Sequence, residues 1–290
     1  MIAGTGLLSA SLSVDYPGRP GVLRDLRLEI GRGEIVALVG QSGSGKSTLA
    51  LALLRLAGMR GARVRGRILF DGRDLMALSE REMRRVRGRE IGLVLQSTVS
   101  SLNPSLSVGV QLREAWLAHC DGRESSAVRK QRWRERLARV LQDVSLPPEA
   151  AFLKLHPGEL SVGLAQRVLI GMAVLHYPPL LIADEPTSAL DVITQSEILG
   201  LFSELSRRRG MAVLFISHDL LSVASLCHRV AILRDGAIVE DGPTSEIFER
   251  PRHPYAKDLI AALPRLPFAV PGRAGETTPL LPRADHACQG

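Results

Sequence analysis

Apolar and polar residues alternate from Leu23 onward and then merge into the unbroken run Ile35-Val36-Ala37-Leu38-Val39, closed by Gly40. Such a run predicts a strand buried on both faces. A glycine-rich stretch follows, and Ser47 to Met59 is rich in Leu and Ala without proline, which predicts a helix. Arg67 to Phe70 leads into Asp71-Gly72, a strand followed by a turn, and Ile91 to Leu95 predicts another buried strand. From about Ser97 to Glu159 the pattern becomes helical, polar and charged, with a helix over Ala127 to Val144. Strands and helices alternate again beyond Pro157-Gly158: a helix over Ala165 to Leu175, a strand over Leu180 to Ala183, a helix over Val192 to Arg208 closed by Gly210, and a strand over Ala212 to Ile216. This alternation predicts an α/β fold, a mainly parallel sheet covered by helices on both faces, interrupted by a helical insertion. Proline, glycine and arginine beyond Pro264 predict a loose tail.

Composition narrows the class. With 290 residues, 45% hydrophobic and 23% charged, the chain is globular and not disordered. Its longest apolar stretch, Val168 to Leu175, is far below the roughly 18 residues of a membrane span. No Lys or Arg precedes Arg19, so no charged front of a secretory signal is seen and a cytosolic chain is expected. Cys120, Cys227 and Cys288 are scattered without a Cys-x-x-Cys pair, which points to a reduced compartment. The net charge of +7 is carried almost wholly by arginine, for only Lys46, Lys130, Lys154 and Lys257 are lysines. That balance suits nucleic acid, anionic lipid or nucleotide, but few aromatics interleave with the basic clusters, which argues against a single-strand stacking platform.

The chemistry concentrates after the first buried strand. Gly40-Gln41-Ser42-Gly43-Ser44-Gly45-Lys46-Ser47 fits the phosphate-binding pattern G-x-x-x-x-G-K-S between a strand and a helix, with Thr48 following. Glycines let successive N–H groups curl toward phosphate oxygens, and the helix beginning near Ser47 adds its positive end. In that arrangement Lys46 reaches the β and γ phosphates and the Ser47 hydroxyl is a magnesium ligand. Leu180-Leu181-Ile182-Ala183-Asp184-Glu185 is an apolar strand ending in two acids at the sheet edge where ligands bind. Asp184 offers hard oxygen to magnesium, and Glu185 is placed to accept a proton from an attacking water.

Further along, the order of elements resembles the ATP-binding cassette ATPases. Leu160-Ser161-Val162-Gly163-Leu164 with Ala165-Gln166-Arg167 resembles the family's LSGGQ signature; Gln96 ends a strand like the Q-loop glutamine. Ser188-Ala189-Leu190-Asp191 resembles the D-loop, and His218 in Phe215-Ile216-Ser217-His218-Asp219 the switch histidine. The likeness covers roughly residues 5 to 265. It implies a P-loop NTPase with a RecA-like parallel-sheet core, an antiparallel β subdomain and an inserted helical signature subdomain. The implied units are 1–96 and 166–245 as core, 97–165 as helical subdomain, 246–267 as a C-terminal extension and 268–290 as tail. It also implies ATP and Mg2+ as cofactors, and a dimer in which Ser161, Gly163 and Asp191 serve the partner's nucleotide. Gln96 would sense magnesium, His218 would orient the γ phosphate, and Tyr16, thirty positions before Lys46, would stack on adenine. One departure stands out: Val162 and Leu164 replace the signature's usual Gly and Gln. Because a β-branched residue lacks glycine's backbone freedom, this signature is expected to close less well on ATP.

Arg250-Pro251-Arg252-His253-Pro254-Tyr255 resembles the C-terminal extension of the oligopeptide, dipeptide and nickel importer ATPases, and Ser100-Ser101-Leu102-Asn103-Pro104 points to the same branch. The resemblance therefore implies a peripheral subunit at the cytoplasmic face of the membrane. Its implied partners are a second cassette subunit, two permeases and, indirectly, an extracytoplasmic substrate-binding protein. With Cys288 standing alone, no iron-sulfur cluster is expected. The alternative is a non-transport cassette ATPase serving a soluble assembly such as carbon-phosphorus lyase. Nucleic-acid maintenance suits the charge but usually brings coiled-coil insertions or tandem cassettes, so no nucleic-acid partner is expected.

Overall fold

The computed structural model describes residues 6–96, 101–120 and 125–263. The expected tail 268–290, Cys288 and Ser100 lie outside these residues, as do parts of the expected 97–165 and 246–267 units.

Two sheets carry the fold. The strands β1 (Gly6–Tyr16), β2 (Arg19–Gly31), β4 (Arg63–Phe70) and β5 (Arg73–Asp74) form an antiparallel sheet in the order β2-β1-β4-β5. The larger sheet contains β3 (Ile35–Val39), β6 (Ile91–Val94), β7 (Leu180–Asp184), β8 (Ala212–Ser217), β9 (Arg229–Arg234) and β10 (Ala237–Pro243), in the order β10-β9-β3-β8-β7-β6. Its pairs are parallel except the β9–β10 hairpin. Asp235-Gly236 turns that hairpin and Asp71-Gly72 turns β4 into β5, each pair with positive φ at both residues, as two-residue hairpins favour.

The period-two rule explains how the large sheet is covered. In β3, Ile35, Ala37 and Val39 join one apolar cluster while Val36 and Leu38 join another. The first cluster packs helices, among them α6 (Val162–Val174) and α7 (Val192–Arg209). The second contains α1 (Lys46–Leu53), α2 (Glu80–Val86) and inward residues of β1, β2 and β4. One face is thus covered by the antiparallel sheet as well as helices, where strand–helix alternation predicts helices on both.

Helix α1 ends six residues before the predicted Met59. Arg55 N donates to Ala52 O and Leu56 N to Leu51 O, with Arg55 at a φ of 54°, the bond pair that closes a helix on a left-handed residue. A side chain replaces glycine there because its guanidinium donates to the carbonyls of Leu75 and Leu78. Residues Ala57–Arg60 then form a short 3-10 turn.

Three helices, α3 (Val108–Leu117), α4 (Ser126–Asp143) and α5 (Ala150–Lys154), form the insertion, and α6 runs from it into the core. Trp116 of α3 meets Trp133 of α4 with ring centroids 5.4 Å apart. Between α6 and β7, the Tyr177 ring lies under the Arg136 and Arg209 guanidiniums, and its hydroxyl donates to Asp143, which Arg209 also holds. That sandwich joins α4 to α7 beside the C-terminal end of α6. The last helices are α8 (Leu220–Leu226), α9 (Thr244–Glu249) and α10 (Pro254–Ala261). Among the described residues, no helix is long and apolar enough to cross a membrane.

Candidate functional site

Strand register brings distant residues together. Val39 pairs with Ser217 and Ile216 with Asp184, so β3, β8 and β7 end level. The next residue after each is Gly40, His218 and Glu185. The loop from Gly40 then wraps into α1, whose N-cap Gly45 has a φ of 111°. A Cβ there would lie 2.6 Å from the Leu23 side chain and 2.9 Å from the Val22 carbonyl, so position 45 admits only glycine.

These ends surround an open cavity of ≈ 410 Å³ lined by Ser42, Gly43, Gly45, Lys46, Ser47, Thr48, Gln96, Glu185 and His218 with Arg19 and Val22. Lys46 is 8% exposed, and its ammonium donates to the Gly40 carbonyl at 2.7 Å and the Gln41 carbonyl at 3.0 Å. Burial pulls the lysine below its ordinary range, while Glu185 and Asp184 oppose that shift. Two carbonyls and two acids keep a buried cation in place, the arrangement an anionic ligand needs.

Asp184 is 4% exposed, and burial raises its carboxyl above the ordinary value although a hydrogen bond from Ser47 acts the other way. Among the described residues its Oδ1 has no hydrogen-bond partner. An unpartnered buried carboxylate oxygen beside a hydroxyl, with Gln96 lining the same region, is a donor set of hard oxygens and fits a small divalent cation. Glu185 sits at a φ of 51°, a conformation non-glycine residues adopt under constraint, held by its N–H to the Ile216 carbonyl at 2.9 Å. Its carboxylate accepts from His218 Nδ1 at 2.7 Å; the His218 ring is largely exposed and Glu185 is not. The two residues expected to be catalytic are therefore in direct contact.

Tyr16 ends β1 and packs against the second apolar cluster, and Arg19 and Val22 rather than Tyr16 line the cavity. Arg19 also donates to the Gly43 carbonyl. Sequence reasoning passed over Arg19, although its position just past the Pro17-Gly18 turn beside the loop is readable once the hairpin is seen. Ser44 takes part in the loop with a buried hydroxyl that has no partner among the described residues.

Ser161, Gly163 and Asp191 lie elsewhere, at an exposed edge. Ser161 caps α6 by accepting from Leu164 N, and Asp191 caps α7 by accepting from Ile193 N, Thr194 N and the Thr194 hydroxyl. The two caps touch through Thr194, since a Cβ on Gly163 would lie 2.6 Å from Thr194 Cγ2. The expectation about Val162 is corrected in its reasoning. Val162 is the first helical residue after the Ser161 cap and is not among the residues with positive φ, so glycine's backbone freedom is not used there. What Val162 adds is exposed bulk at the helix tip.

A family model described as ABC transporter matches residues 23–188, and one described as Oligopeptide/dipeptide transporter, C-terminal region, matches residues 239–289. The chain is 41% identical over 271 residues to the Oligopeptide transport ATP-binding protein OppD of Bacillus subtilis (strain 168), covering 91% of this chain and 74% of that protein. It is 40% identical over 252 residues to the Dipeptide transport ATP-binding protein DppD of Escherichia coli (strain K12), covering 83% and 75%. Among solved structures, a dimeric post-hydrolysis state of the ATP-binding cassette MJ0796 bound to ADP and Pi superposes with a TM-score of 0.68 at 28% identity, covering 82% of this chain and 98% of that one.

Proposed function

Since the chain belongs to the ABC transporter family, we propose that it is the ATP-hydrolysing subunit that energises an importer of peptides or nickel-type substrates. The observation that carries this reading is that the ends of β3, β7 and β8 gather Lys46, Glu185 and His218 around one cavity, with Asp184 lining a second cavity that shares Ser47 and Gln96 with it, in a chain with an oligopeptide-type C-terminal region.

In this reading the loop N–H groups and Lys46 hold the β and γ phosphates, Glu185 takes the proton of the attacking water, and His218 orients Glu185 and the γ phosphate. Bound Mg2+ would neutralise charge on the phosphates; Ser47, Asp184 and Gln96 are the residues that would hold it. Tyr16, which packs at the end of β1 near the Arg19 and Val22 rim of the cavity, would stack on the adenine. Residues 1–96 and 166–245 bind nucleotide, 97–165 carry the signature, and 246–267 mark the importer branch. Ser161, Gly163 and Asp191 face the nucleotide of a second cassette subunit, a partnership supported by the dimeric state of the ADP-bound relative. Two permeases hold the pair at the cytoplasmic face of the membrane, and a substrate-binding protein on the far side delivers cargo.

Affinity purification of the tagged chain from mildly solubilised cells, followed by mass spectrometry, tests the transport half. Two multi-span permeases with a cassette partner are the expected yield. Soluble enzymes or nucleic acid in their place would end the importer reading and leave the ATPase reading intact.

A further inference from the structure

The His253-Pro254-Tyr255 triplet has a local physical logic. His253 caps α10 by accepting the Tyr255 N–H on Nδ1 at 3.1 Å, and Pro254 occupies the first helical position, where no N–H is needed. The N–H groups of Arg252 and His253 donate to the two carboxylate oxygens of Glu240 on β10, each at 2.8 Å. With the approach to the helix held in this way, Tyr255 points inward. It is 6% exposed, with the Arg234 guanidinium 4.8 Å from its ring centroid.

The hydroxyl of Tyr255 ends on the phosphate loop. The Gln41 N–H donates to it at 3.1 Å. That N–H belongs to the Gly40–Gln41 peptide, whose carbonyl, on Gly40, accepts from the Lys46 ammonium at 2.7 Å. One planar unit is thus held at both polar ends, by Tyr255 on the N–H and by Lys46 on the carbonyl. Because the peptide is rigid, its N–H cannot swing away from Tyr255 without its carbonyl leaving Lys46. Gly40 is also confined, for a Cβ there would overlap the Leu233 carbonyl oxygen.

We propose that Tyr255 is a positioning residue of the nucleotide site: through the Gly40–Gln41 peptide it fixes where the Lys46 ammonium stands, which makes the C-terminal extension a working part of the phosphate cradle. This rests on the ATP-binding reading above. It assigns the tyrosine of the triplet a task that helix capping alone does not require.

The test is Tyr255→Phe in the full-length chain, which removes one oxygen and keeps the ring, read by titration with MgATP and by thermal unfolding. Leu259→Ala, on the same helix and packed against the same cluster, is the control that loosens packing and keeps the hydroxyl. Loss of one such hydrogen bond predicts an ATP dissociation constant about three- to tenfold higher for Tyr255→Phe. The control is expected to unfold at lower temperature and to bind ATP like the wild type. Unchanged affinity in Tyr255→Phe overturns the proposal, as does an equal loss of affinity in Leu259→Ala, which would assign the effect to helix docking. Absence of ATP binding by the wild-type chain would instead remove the nucleotide reading on which the proposal rests.

Discussion

The phosphate cradle and the signature edge both place a helix N-terminus where an anion can approach, yet they are finished to different degrees. In the cradle, Lys46, Asp184 and Glu185 are each less than 10% exposed, and short hydrogen bonds hold Lys46 to the Gly40 carbonyl and Glu185 to His218, so charge is already desolvated. At the edge, Ser161 and Asp191 are exposed and spend their oxygens on their own helices, while Val192 and Ile193 stand 82% and 75% exposed beside them. A buried charge is strong because water is excluded, whereas an exposed helix tip gains strength only when something covers it. The cradle therefore has its buried charges in place within one chain. The edge is an exposed surface with apolar side chains, which the proposed cassette pair would cover.

The largest effects should come from the cradle. Glu185→Gln keeps the volume and removes the proton acceptor, so turnover in the assembled complex is expected to fall by about 10² to 10⁴ with ATP still bound. Wild-type turnover would move the base elsewhere. Lys46→Ala removes two charge-assisted bonds to loop carbonyls together with the cation itself, and ATP affinity should fall at least about a hundredfold. Titration with a fluorescent ATP analogue measures this directly, and normal affinity would sink the assignment of the loop.

At the edge, the sharpest contrast is steric. Gly163→Ala drives a methyl group into Thr194 Cγ2, and crowding of this kind costs about 1–3 kcal/mol in thermal or denaturant unfolding. Thr194→Ser removes that methyl while keeping the hydroxyl that donates to Asp191, so the double variant should recover most of the loss. No recovery would mean that the two helix tips are not set against each other as described. The same pair predicts that nucleotide affinity of the isolated chain is unchanged throughout, since neither residue lines the cavity.

This contrast also explains what was legible in the sequence. The loop from Gly40 to Ser47 is contiguous, and its glycines, lysine and flanking strand and helix declare themselves without tertiary information. Asp184 and Glu185 are readable for the same reason, as the polar end of an apolar strand. Tyr255 is not, because its bond to Gln41 spans 214 positions and no local pattern encodes it. Nor is the early end of α1, where the carbonyls of Leu75 and Leu78 hold Arg55 in a conformation that helix propensity alone does not favour. The antiparallel sheet was implied by family likeness, not by alternation, since its inward residues read like those of any half-buried strand. At Val162 the motif was read as a backbone requirement, and the structure makes it a matter of side-chain bulk at a helix tip.

Acid should separate the two regions more gently than any substitution. Burial raises the Asp184 carboxyl above its ordinary value of 3.8, whereas the hydrogen bonds from Thr194 hold Asp191 below it. The signs differ accordingly. Asp191 contributes cap stability that is present above the unfolded value and is lost only as pH falls through its lower folded value. Asp184 is costly to the fold when ionised, so acid relieves the fold there even as it removes the anion that a divalent cation needs. As pH falls from neutral toward the carboxylate range, magnesium-supported nucleotide binding should therefore weaken before helix content does. Parallel titrations of MgATP binding and circular dichroism against pH check the order. Simultaneous loss of both would show that the cradle and the edge share one acid-sensitive unit, and the contrast between a finished site and an unfinished one would no longer rest on the burial of Asp184.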